Sequence, residues 1–129
     1  MAEGFPATTG DIFTAADYNG LVAFTIGAAN TVDYTATISD AYQVLELMNK
    51  ATAIAYKIPT NASVAFPIGT VLNILNIGAG TCTISAVTSG TTTILSAGAT
   101  PAQPTLAQYK AAACIKTGTD AWYVVGAIG

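Results

Sequence analysis

The chain contains neither histidine nor arginine, so any chemistry on it must rest on carboxylates, thiols, lysines, hydroxyls or aromatic faces. Ser-His-Asp and Cys-His arrangements, zinc sites built on histidine and guanidinium forks for phosphate are excluded at once. No Gly-x-x-x-x-Gly run is followed by Lys-Ser or Lys-Thr, so a phosphate loop is excluded too. A carboxylate mechanism needs two acids held a few ångströms apart, and past residue 30 the acids are Asp33, Asp40, Glu46 and Asp120. Asp40 follows Ser39 in a turn, where Asp makes local hydrogen bonds. Glu46 alternates with Leu45 and Leu47, which reads as the solvent face of a strand, so no catalytic acid pair is expected. Cys114 shares strand parity with Lys110 and Lys116, away from Tyr109 and Ile115, and exposed lysines alone make a weak case for an activated thiol. Cys82 shares a face with Ile84 and Ala86, so the two cysteines are expected in different environments and unpaired. Trp122 and Tyr123 offer flat rings for stacking on sugar; being adjacent on a strand they face opposite sides, and Trp122 reads first as core or subunit contact. Asn61-Ala62-Ser63 matches a glycosylation sequon, but nothing in MAEGFPATTG resembles a basic and apolar leader, and the match is discounted. No cofactor and no metal site are expected.

Composition narrows the class further. Of 129 residues only 9% are charged, while 52% are apolar or aromatic; ordinary soluble domains carry roughly 25% charged residues. So few charges leave Thr, Ser, Asn and Gln, or bound partners, to cover the surface. A net charge of -3 with four lysines gives no basic patch, so nucleic acid is not an expected partner. Every apolar run breaks well short of 18 residues, so no membrane span is expected and the chain reads as made in a cytoplasm.

The elements that would position these residues fall into an arm and a body. Over residues 1–30, Thr14 as N-cap with Asp17 three residues on predicts one short helix over about 14–25, carrying Leu21, Val22 and Phe24. Residues 31–129 read as the body, with short Val-, Ile-, Thr- and Tyr-rich segments at 31–38, 44–49, 52–58, 63–66, 70–77, 81–87, 91–96, 106–117 and 121–128. About nine strands with no helix between them predict an all-β fold, an antiparallel β-sandwich or jelly-roll-like barrel. The segment 96–107, with two prolines and no charge, reads as a surface loop. Thr52, Ile54, Tyr56 and Ile58 share one face of their strand, predicted to be the core face. In TVLNILNI (70–77), Leu72 and Ile74 lie on one side and Val71, Leu75 and Ile77 on the other, so both faces call for cover. A neighbouring subunit, or the helix of the same chain, would supply it.

The order of corner residues resembles that of the small β domain of tailed-bacteriophage virion proteins. The run begins with YTATISDAYQVLELMN, passes Ile58-Pro59 and SVAFPIGTVLNILNIGAGTCTI, and closes on YKAAACIKTGTDAWYVVG with its Trp122-x-Val124-x-Gly126 finish. GDIFTAADYN near the start is similar to a segment of phage decoration and tail proteins. The resemblance covers about three quarters of the chain and carries architecture, with no catalytic residue. It implies a non-enzymatic virion structural protein, foremost a capsid decoration (cement) protein binding the major capsid protein of its phage. Such a protein would sit on the capsid surface, after synthesis in the host bacterial cytoplasm, and as a homotrimer. Leu21, Val22, Phe24, Val71, Leu75 and Ile77 are then the expected subunit or capsid contacts. The alternative is the receptor- or glycan-binding head of a tail or head fibre, with Trp122 and Tyr123 against a host-surface glycan.

Overall fold

The computed structural model describes residues 23–97 and 104–128, and Ala15. Its ten strands are β1 (Thr25–Asn30), β2 (Tyr34–Thr35), β3 (Val44–Met48), β4 (Ile54–Ile58), β5 (Val71–Asn76), β6 (Cys82–Ala86), β7 (Thr93–Ser96), β8 (Thr105–Leu106), β9 (Lys110–Gly118) and β10 (Ala121–Gly126). One 3-10 turn, Ile38–Ala41, stands between β2 and β3. The all-β expectation holds. Most of the helix predicted over 14–25, with Leu21 and Val22, and residues 98–103 of the predicted 96–107 surface loop lie outside the described residues, while Thr105–Leu106 of that loop form β8, with Leu106 buried. Phe24 is not helical and Thr25 already opens β1, so residues 25–30, assigned to the arm on sequence, belong to a sheet. Gly27, Ala28 and Ala29 are poor strand formers, and the pairing with β3 shifts register between Ile26 and Ala29.

The strands form two mixed sheets, a six-stranded one in the order β1-β3-β5-β9-β10-β7 and a four-stranded one in the order β2-β4-β6-β8. The antiparallel expectation is corrected here: β1-β3-β5 and β2-β4-β6 are both parallel series, as is the β7-β10 pair. Only the β5-β9, β9-β10 and β6-β8 pairs are antiparallel. Parallel neighbours need a crossover of a dozen residues or more, usually a helix. In the β1-β3-β5 and β2-β4-β6 series each crossover is instead a strand of the other sheet: the chain passes β1 to β2, β3 to β4 and β5 to β6, laying each pass beside the one before. A run of strands with no helix between them therefore does not entail antiparallel pairing.

Corners of successive passes stack backbone on backbone. Asn49 N–H donates to Asn30 O at 2.8 Å, Ile77 N–H to Met48 O at 2.8 Å and Gly80 N–H to Lys50 O at 2.8 Å. A Cβ on Gly80 would lie 1.8 Å from Thr52 O, so only glycine fits that approach. The buried Asn76 ties the corner to β8: its Nδ2 donates to Gly80 O and Leu106 O, both at 2.9 Å, and its Oδ1 accepts from Gly78 N–H at 3.1 Å.

One apolar cluster takes residues from both sheets, with Leu72, Ile74 and Trp122 from the larger and Ile54, Tyr56 and Ile84 from the smaller. The predicted core face of β4 is borne out, since Ile54, Tyr56 and Ile58 are all buried. SVAF (63–66) is no strand; it belongs to an irregular segment whose turn is held by Ser63 N–H and Val64 N–H donating to Thr60 O.

Candidate functional site and interaction surface

Alternation along the larger sheet sends Leu72, Ile74, Cys114, Lys116, Trp122 and Val124 inward, and the residues between them outward. Strand register then assembles the outward side chains into three rows. Ile26 pairs with Leu45, Leu45 with Asn73, Asn73 with Ala113 and Ala113 with Val125. Ala29, Leu47, Leu75 and Ala111 form the second row. Val71, Ile115, Tyr123 and Leu95 form the third. Across these rows Asn73 and the Tyr123 hydroxyl are the polar groups and none is charged; Thr93 and Thr117 lie exposed on the same side beyond the third row. Ile26, Val125, Tyr123, Leu95 and Val71 are 39% to 59% exposed. Strands about 4.8 Å apart and alternate residues about 6.8 Å apart give this face a footprint of roughly 400–500 Å², a size at which apolar patches mark interaction sites.

The residues predicted as contacts distribute accordingly. Val71 and Leu75 lie in the outer rows, Ile77 is half-buried at the corner just past β5, and Phe24 is 47% exposed before β1. The doubly apolar reading of 70–77 is thus observed, with Leu72 and Ile74 wholly buried beneath Val71 and Leu75. Trp122 is 2% exposed and packs edge to face on Phe66 at 5.6 Å; it offers no face to a sugar, which corrects its place in the glycan reading. Tyr123, 46% exposed, keeps an open ring.

Three further polar readings are overturned by the inward face. Glu46, expected in solvent, is 7% exposed, and Leu45 and Leu47 are the outward residues of β3. Its carboxyl receives Asn30 Nδ2 at 3.0 Å and is hydrogen-bonded to Asp40, itself 3% exposed. A Cβ on Gly27 would come 3.0 Å from Glu46 Oε2, so glycine on β1 makes room for the acid. Burial, and after it the hydrogen bond with Asp40, pushes Glu46 up to about 7. Asp40 Oδ2 also accepts from Tyr34 Oη at 2.6 Å and from Thr37 N–H at 2.9 Å, and burial followed by that bond raises Tyr34 above the usual phenol range. The local turn role expected of Asp40 is observed in its bond from Thr37 N–H, and the 3-10 turn also brings it beside the buried Glu46 under the sheet.

Cys82 and Cys114 are free and both buried in the common core, against the expectation of different environments. Burial pushes Cys82 up to about 11 and Cys114 up to about 12, the reverse of nucleophile activation. Lys116, expected outside beside Cys114, is 2% exposed. Its Nζ donates to Asn61 Oδ1 at 2.6 Å and Phe66 O at 2.7 Å and stands 6.0 Å from the Trp122 ring centre. Asp120 Oδ1, in the β9-β10 turn, accepts from Asn61 N–H at 2.8 Å and Thr92 Oγ1 at 3.2 Å.

Among the described residues no three His, Cys, Asp or Glu side chains gather as metal ligands, and no helix is long and apolar enough to cross a membrane. Comparison of the chain with protein-family models, curated proteins and solved structures gave no match.

Proposed function

We propose that this is a non-enzymatic virion structural protein of a tailed bacteriophage, a capsid decoration protein that acts as a homotrimer on the major capsid protein and stabilises the head. The observation that carries the reading is the charge-free outer face of the six-stranded sheet. A patch of Ile, Leu, Val, Ala and Tyr with one Asn, edged by Thr93 and Thr117, costs free energy in water and gains it in an interface. It supplies a large share of the roughly 800 Å² per partner that a stable interface uses. The sequence resemblance gives the setting: a sandwich-like body of two sheets standing on the shell, with the N-terminal arm read in the sequence reaching toward a neighbour or the capsid. Binding only the assembled shell stabilises that shell by mass action. The protein works on the virion after synthesis in the bacterial cytoplasm.

Sedimentation velocity of the full chain, diluted to sub-micromolar concentration, tests the assembly. A trimer is expected, and Val71→Asp with Tyr123→Asp on the outer face is expected to yield a folded monomer. A wild-type chain that sediments as a stable monomer refutes the assignment of this face. Purified shells stripped of the protein are expected to take it up and to resist heat better; uptake by host cells or surface polysaccharide, with none by shells, would move the protein to the fibre-head class. Tyr123 is the ring that favours that second reading.

A further inference from the structure

The geometry points to a second, covalent property, independent of the assembly reading: an isopeptide bond formed spontaneously between Lys116 Nζ and Asn61 Cγ. Lys116 is the only cation wholly enclosed among the described residues, and no described carboxylate lies within 4.0 Å of its nitrogen, where Lys57 and Asp33 at 3.7 Å form the one ion pair. Its partners are all neutral: the Asn61 side-chain carbonyl, the Phe66 main-chain carbonyl and the face of Trp122. A buried charge without an opposite charge is costly, and conversion to an amide removes it.

The parts needed for that conversion are assembled. Oδ1 of Asn61 is one bond from Cγ, so a nitrogen 2.6 Å from Oδ1 reaches attack distance on Cγ after a small rotation of the amide. Phe66 O fixes the amine from a second direction. The edge-to-face Phe66–Trp122 pair and the burial of Lys116 keep the amine out of bulk water, while Asn61 is only half-buried. Asp120 is a positioning residue: it holds the Asn61 main-chain N–H at 2.8 Å and, through Thr92, ties that grip to β7. In the reaction one ammonium proton passes first to the Asn61 carbonyl oxygen that Nζ already contacts, the freed Nζ lone pair bonds to Cγ, the two protons given up by Nζ end on Nδ2, and the Cγ–Nδ2 bond breaks. Ammonium leaves, a neutral secondary amide stays, and no oxidant, metal or co-reactant enters. The link joins the 59–70 segment to β9 across the end of the core. Lysine serves as a nucleophile in many enzymes; here the Asn61 amide is its electrophile, held in contact.

Intact mass of the purified full chain, denatured and reduced, is the test. Loss of ammonia lowers the mass by about 17 Da against the sequence, and trypsin then releases residues 58–110 joined to 111–129, since a linked Lys116 is no longer cut. Asn61→Ala and Lys116→Met are expected at their sequence masses, and Asp120→Ala is expected to form the link more slowly in a time course after refolding. A wild-type mass equal to the sequence, with peptides 58–110 and 111–116 recovered separately, overturns the proposal whatever the variants do.

Discussion

Replacing Glu46 by Gln is expected to remove a pH dependence of stability that the wild-type fold carries. Glu46 faces Asp40 of the 3-10 turn, Asn30 and Gly27 of β1 and, through Asp40, Tyr34 of β2; the buried Tyr56 ring of β4 stands behind Tyr34, their centroids 5.7 Å apart. Moving a carboxyl from 4.5 up to about 7 corresponds to about 3 kcal/mol of preference for its neutral form. Screening by solvent just outside the pair reduces this to about 1–2 kcal/mol. In the fold Glu46 keeps its proton to higher pH than in the unfolded chain, so between about 4.5 and 7 the folded state binds more protons. Stability from this group is therefore full below about pH 4.5, falls as pH rises toward 7 and is flat above. Gln keeps the shape and an acceptor for Asn30 Nδ2 but cannot ionise. Urea unfolding at pH 5 and pH 8, for wild type and Glu46→Gln, isolates the effect: wild type should lose about 1–2 kcal/mol more than the variant between the two. Equal losses would show that Glu46 does not keep its proton to higher pH in the fold, and the argument from its burial fails.

Other substitutions test the fold at separate points. Gly80→Ala puts a methyl group on the Thr52 carbonyl and should cost about 2–4 kcal/mol in urea unfolding; an unchanged midpoint would mean the corners do not stack so closely. Tyr56→Phe removes a wholly buried hydroxyl with no hydrogen-bond partner and should leave stability equal or raise it by up to about 1 kcal/mol; a clear loss would point to a partner for that oxygen. Cys82 and Cys114, buried with raised thiol values, should resist iodoacetamide at pH 8 until the chain unfolds, and rapid labelling of the native protein at either would contradict the packing.

What the sequence revealed and what it concealed have one physical cause. Strand positions were legible from β-branched runs between Gly and Pro corners: β3, β4, β5, β6 and β10 lie within their predicted segments. The parallel pairing was not, because nothing in a strand's own residues says whether its neighbour is the next strand or the one after. The inside and outside of β3 and β9 were read in reverse because charge was taken as the mark of solvent. Yet the larger sheet buries Glu46, Asn76 and Lys116 on its inner face and turns Leu45, Leu47, Leu75 and Ile115 outward among its rows. Each inner polar group has a partner that sequence does not place beside it: Asp40 and Asn30 for Glu46, Gly80 and Leu106 for Asn76, Asn61 and Phe66 for Lys116. A sheet that keeps its charges inside and an apolar face outside is inverted for a solitary domain in water. The inversion is consistent for a subunit whose outer face is covered in use, and this links the misreadings of Glu46 and Lys116 to the interface proposed for Val71 and Tyr123.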